Sequence, residues 1–196
     1  MKLLHLLIAA ALTASTAATP GYALPATPPA ATPPASVAAT EKSNPSAGEV
    51  ARDASAAASR AVSDTEAALA RAEKTAGNAS ASASEAISRA VRKAADAARN
   101  AQRKVTAAAA KAGSDGKLLA QKAEESAKKA VTSTEGALQR AEETVKKAAL
   151  TGKEEVLREA KAVREALKAA RTDTREAAQD AKESADKAME TARPTR

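Results

Sequence analysis

The chain has 196 residues, a formal charge of +7 and an apolar fraction of 44% that is mostly alanine. It contains no Phe, Trp or Cys, one Tyr, one His and two Met. That inventory excludes a thiolate metal site, a Cys nucleophile, a disulfide framework and a lipobox cysteine. It also leaves a core of single methyl groups, each worth about 0.8 kcal/mol against about 1–2 kcal/mol of backbone entropy per ordered residue.

Residues 1–23 read as a secretory signal. Lys2 supplies the charged n-region, Leu3 to Leu12 is apolar apart from His5, and Gly21-Tyr22-Ala23 places small residues around a cut after Ala23. An earlier cut after Ala18 also fits. The apolar run is well short of the roughly 20 residues that span a bilayer, so cleavage is expected rather than anchoring. The expected location is exported, periplasmic or extracellular. Cleavage removes the only His and the only Tyr, which also excludes a Ser-His-Asp triad or an imidazole metal site from the mature chain.

Residues 24–45 form a Pro/Ala/Thr-rich linker with Pro25, Pro28, Pro29, Pro33, Pro34 and Pro45. Proline fixes φ and removes donors, so a disordered, extended and solvated spacer is expected.

From Ser46 the composition turns to Ala, Glu, Lys and Arg, and no Pro falls between Pro45 and Pro194. These are strong helix formers, and their uninterrupted run predicts an alanine-rich helical region over 46–192. Breaks at Gly77-Asn78, Gly113-Ser114-Asp115-Gly116 and Thr151-Gly152 divide it into helices over about 47–76, 83–112, 117–150 and 153–191. The last break is the weakest, and a helix running through it is the alternative. Capping boxes are expected at Ser46–Glu49, Ser82–Glu85 and Thr151–Glu154. At 1.5 Å per residue each helix is roughly 45–60 Å long.

Larger aliphatic residues recur at alternating steps of four and three. They are Val62 and Leu69 in the first helix, Ile87, Val91 and Val105 in the second, Val131, Leu138 and Val145 in the third, and Val156, Val163 and Leu167 in the fourth. Such narrow stripes predict coiled-coil-like packing. The fold class is therefore all-α: long amphipathic helices in a loose antiparallel bundle or as extended rods. Pairs such as Glu124–Lys128, Glu125–Lys129, Glu142–Lys146, Glu143–Lys147, Glu154–Arg158 and Glu183–Lys187 have the favourable i,i+4 order and are expected to support each helix in isolation.

Residues 58–75 align with 127–144 at an offset of 69, matching Val62/Val131, Thr65/Thr134, Glu66/Glu135, Leu69/Leu138, Arg71/Arg140 and Glu73/Glu142. This points to duplication of a long-helix unit, with convergence of a low-complexity composition as the alternative.

Charge is uneven. Over 84–112, Arg89, Arg92, Lys93, Arg99, Arg103, Lys104 and Lys111 meet only Glu85 and Asp96. A helix of this kind can hold an anionic membrane surface or an envelope polymer. Without stacking aromatics or a recognisable module, specific nucleic-acid binding is not expected. Asn78-Ala79-Ser80 matches the N-x-S sequon, which carries meaning only in a host that glycosylates it, and it is taken as chance.

Blocks such as AEESAKKAVTSTEGALQRAEETVKKAA and EAAQDAKESADKAMETA resemble the group-three late embryogenesis abundant proteins. That resemblance is compositional and implies stress protection by helices that form on drying or at membranes. Their 11-residue period is not kept, since spacings of seven are commoner. The long amphipathic helices are also similar to those of exchangeable apolipoproteins, without the aromatic and Leu-rich faces. Helical antifreeze proteins share the alanine content, but the Thr spacing here differs from theirs. The resemblances carry over no functional residue.

The expected function is that of an exported, non-enzymatic structural or protective protein that shields or spaces envelope components. The alternatives are a weak electrostatic binder acting through 84–112 and a coiled-coil assembly protein that self-associates through its helices. No catalytic residue, metal, cofactor or small-molecule substrate is expected.

Overall fold

The computed structural model describes residues 45–75 and 77–192. The signal over 1–23 and the linker up to residue 44 lie outside the described residues. Within them the chain is all-α: α1 (Ala47–Lys74), α2 (Ala81–Ala110), a 3-10 turn (Ser114–Gly116), α3 (Lys117–Ala148) and α4 (Lys153–Thr191). The helices pack as an antiparallel bundle. Each lies against the next in the chain, α4 closes against α1, and the diagonal pairs scarcely touch. Of the two expected arrangements, the bundle is the one formed.

The breaks fall at residues that cannot continue a helix cheaply. Gly77 sits at φ +92°, in the left-handed region where a Cβ is strained. The turn over 113–116 is short and exposed apart from Gly116. Gly152 is the N-cap of α4, so no helix runs through Thr151-Gly152.

Two of the expected caps are placed differently. The Ser46–Glu49 box is present, with the Glu49 amide donating to Ser46 Oγ at 3.2 Å and the Ser46 amide donating to Glu49 Oε2 at 2.8 Å. The cap of α2 is Ser80 rather than Ser82, and it accepts from the Ala83 amide at 3.2 Å. The Asn78 side chain accepts from the Ser80 amide and so starts this helix earlier. Thr151 caps nothing. Its hydroxyl donates back to the Lys147 carbonyl, and Gly152 has no side chain to take its place.

The core is almost entirely methyl groups, in two clusters. One gathers Ala54, Ala57, Ala61, Ala98, Val105, Ala123, Ala127 and Ala181. The other gathers Ala68, Leu69, Ile87, Val91, Ala137, Val163 and Leu167. Between them along α1, α3 and α4 lie Thr65, Thr134 and Thr174, all fully buried. Each hydroxyl donates to the carbonyl four residues back in its own helix: Ala61 at 2.7 Å, Ala130 at 2.9 Å and Ala170 at 2.9 Å. A buried hydroxyl satisfied in this way costs little, and its methyl still faces the core.

Candidate functional site

The aliphatic stripe occupies two environments. Ile87, Val91, Val105, Val156, Val163 and Leu167 are buried, and so is Leu69. Val131, Leu138 and Val145 in α3 are only half-buried. The buried line of α3 is instead Ala120, Ala123, Ala127, Ala130, Thr134, Ala137 and Ala141. This line turns the valines and leucine of α3 toward the rim, where Val145 lies beside Arg92 and Glu142. Close approach of two helices favours the smallest side chains on the contact line.

More of the charges pair between helices than along them. Of the expected i,i+4 pairs, Glu124–Lys128 forms, at 2.9 Å. Lys129 bonds Asp173 and Glu176 instead of Glu125, Lys147 bonds Glu159 instead of Glu143, and Glu142 takes Arg92 from α2. Lys187 pairs with Glu190 and Arg158 with Glu155, each three residues away in sequence. The side-chain hydrogen bond from Lys147 holds the Glu159 carboxyl below its ordinary value, and the same bond raises the Lys147 ammonium.

The basic helix is threaded through this network. Arg92 bonds Glu142 at 2.7 Å, Lys93 bonds Asp64 at 2.8 Å and Lys104 bonds Asp53 at 3.2 Å. Arg99 bonds Glu135 at 2.8 Å and Asp96 at 3.0 Å. Hydrogen bonding by Glu135 raises the Arg99 guanidinium above its ordinary value. Lys111 donates to the Pro45 carbonyl at 2.9 Å. Arg89 and Arg103 are exposed and form no ion pair among the described residues. Most of the cationic surface legible over 84–112 is therefore matched by acids of α1 and α3.

One polar constellation was not singled out in the sequence. On the seam between α3 and α4, Ser126 donates to Asp180 and Ser133 donates to Asp173. Lys122 reaches Asp180 at 2.9 Å and Lys129 reaches Asp173 at 3.1 Å. The two rungs share this Ser–Asp–Lys pattern a heptad apart, with Lys129 bonding Glu176 as well. Asp180 is 3% exposed, whereas the Lys122 side chain is 57% exposed, so the aliphatic stem covers the carboxylate and leaves the ammonium wet. The signal was the repeated Lys-x3-Ser of α3 opposite Asp173 and Asp180. It reads as surface charge until the partner helix is known. Comparison with protein families, curated proteins and solved structures finds no match.

These side chains can fix register, but they do not enclose a reacting group. A void between α1, α2, α3 and α4, lined by Ala51, Val105, Ala120 and Ala181 among others, measures about 10 Å³. That is at the lower limit for a single water. The larger hollows are open surface grooves. One, at the end of the bundle that carries both Ser46 and Ala192, exposes Glu49, Arg52, Glu183 and Asp186. Among the described residues no three His, Cys, Asp or Glu side chains are grouped as a metal site requires. No described helix is long and apolar enough to cross a membrane.

Proposed function

We propose that this chain is an exported, non-enzymatic structural protein in which a self-contained helical bundle, carried on a proline-rich tether, spaces or shields components of a cell envelope. The observation that carries this reading is the internal matching of the charged faces. Arg92, Lys93, Arg99 and Lys104 each take an acid from a neighbouring helix, so the surface is bound up in holding the bundle together. The core is filled by methyl groups, and the void between its four helices is at the lower limit for a single water. Both properties suit a rigid body whose role is to occupy a distance. The export signal over 1–23 and the tether over 24–45 supply the address and the reach.

The test is mixing of the purified chain with anionic vesicles, read by circular dichroism and co-sedimentation. A spacer keeps the same helix content with and without lipid and stays in the supernatant. Pelleting with the vesicles overturns it. Export is tested by N-terminal sequencing of the chain recovered from cells, which should begin after Ala23 or Ala18; an intact Met1 overturns that part.

A second reading has its own support. Arg89 and Arg103 form no ion pair among the described residues, and Arg89 shares an open groove with Arg92 and Lys146, which Glu85 and Glu142 also line. Under this reading the bundle is a salt-sensitive binder of an anionic surface or polymer. Reversal of Arg89 and Arg103 abolishes the pelleting if this reading holds. Reversal of Arg92, Lys93 or Lys104 is less informative because it also breaks contacts within the bundle.

A further inference from the structure

The 69-residue offset seen in the sequence recurs in the burial of the bundle. Ala51, Ala54, Ala58, Ala61, Thr65, Ala68 and Ala72 of α1 are buried, and so are their counterparts Ala120, Ala123, Ala127, Ala130, Thr134, Ala137 and Ala141 of α3. The same offset takes buried Ile87, Ala94, Ala98 and Ala101 of α2 to buried Val156, Val163, Leu167 and Ala170 of α4. The α1–α2 and α3–α4 hairpins thus match along these lines, while buried Leu69, Val91 and Ala95 fall on half-buried Leu138, Ala160 and Arg164. The polar contacts across the two seams follow this offset on the acid side only, because the counterpart of Arg99 is Lys168 and that of Arg175 is Thr106. Glu66 of α1 takes Arg175 from the opposite hairpin, and its counterpart Glu135 of α3 takes Arg99.

We propose that the face between the hairpins also accepts a hairpin from a second copy of this chain, by reciprocal exchange about residues 111–116. The partner is therefore the same protein, and the exchanged dimer repeats every seam of the monomer. This goes beyond the spacer reading and does not depend on it.

The connection favours such an exchange. Ser114, Asp115 and Gly113 are exposed, and the N-terminus of α3 has no side-chain cap to lose. The cross-seam pairs Glu66–Arg175 and Arg99–Glu135 have half-exposed side chains, and they re-form identically with a second chain. What holds the closed monomer is the high effective concentration of one hairpin beside the other, and that advantage falls as protein concentration rises.

The first experiment refolds the full chain from denaturant over a range of protein concentrations, with isotopically light and heavy chains mixed. The expected product is a species of about twice the monomer mass. Its share rises with refolding concentration, it contains light and heavy chains together, and it persists on dilution because separation requires unfolding. Monomer at every concentration overturns the proposal, as does a dimer that dissociates at once on dilution. The second uses two charge variants, one with Glu66→Arg and Glu135→Arg, the other with Arg99→Glu and Arg175→Glu. Each alone places like charges across both seams. Refolded together, they should form a one-to-one heterodimer in which every cross-seam pair has opposite signs. Two separate populations, each unpaired with the other, overturn the proposal.

Discussion

Replacing Leu167 by alanine should be among the most damaging single truncations in this bundle. Leu167 is completely buried and is the largest of the fully buried side chains. Large-to-small changes of this kind cost about 2–5 kcal/mol, and the loss grows with the volume left unfilled. Of the same cluster, Ala68, Ala94 and Ala137 have no longer side chain to move inward, and Leu69, Ile87, Val91 and Val163 are themselves buried in close packing that limits their movement. The upper part of the range, about 3–5 kcal/mol, is therefore expected. For a chain of this size each kcal/mol moves Tm by about 2–4 °C, giving a fall of roughly 6–20 °C. Leu138→Ala is the internal comparison. The two leucines hold equivalent places in the sequence stripe, yet Leu138 is only half-buried and should lose less. Leu118 is 78% exposed, and its truncation should stay within about 0.5 kcal/mol of the parent. Thermal melts followed by circular dichroism and calorimetry measure the three. Equal melting temperatures for Leu167→Ala and Leu118→Ala would refute the packing described.

Gly136 lies inside α3 with open space where a Cβ would stand, so Gly136→Ala should raise stability by about 0.5–1 kcal/mol in denaturant titrations. Gly77→Ala should lower it, because φ there is +92°. Asp180→Ala leaves the buried Ser126 hydroxyl without its acceptor and should cost about 1–3 kcal/mol by chemical denaturation, with Asp180→Asn losing less because it keeps an acceptor. Thermal stability should be flat through neutral pH. It should fall in acid, because the carboxyls of Glu49, Glu159 and Glu165 are held below their ordinary value of 4.5 in the fold. Their contribution is complete above that value and is lost as pH drops through the depressed one. In base the sign reverses. Lys122, Lys129, Lys147 and Lys187 are raised above 10.5, so their contribution is present below that pH and is lost as pH climbs through the raised values. A melting curve that shifts between pH 6 and pH 8 would contradict this assignment.

The helices and their breaks were legible because the signals are local. Alanine, glutamate and lysine run between glycines, and no proline interrupts them, so α3 and α4 begin at the expected Lys117 and Lys153. Serine caps were less legible. Ser80 and Ser82 both precede the run, and the choice depends on the Asn78 side chain holding the Ser80 amide. Charge destinations were mostly not legible, Glu124–Lys128 being the expected pair that forms. An i,i+4 glutamate is always near its lysine in sequence, but Lys129 and Lys147 find acids on α4 that are better placed. The rotation of α3 was hidden for a related reason. Hydrophobic size favours Val131 and Leu138 as inward residues, yet the close packing of four alanine-lined helices seats the smaller Ala130 and Ala137 there. The basic helix was visible, and its neutralisation by Asp53, Asp64, Glu135 and Glu142 required the neighbours.

The twin rungs between α3 and α4 carry an ambiguity of their own. Sliding one helix past the other by a heptad, about 10 Å, would bring Ser133 to Asp180 and rebuild half of the ladder. Lys147 would then lose Glu159, and the connection from Ala148 to Lys153 would have to stretch around the offset ends. A turn this short leaves no slack for that, so it decides between two pairings that the rungs themselves would accept. Lengthening it by seven residues would hand that choice back to the side chains.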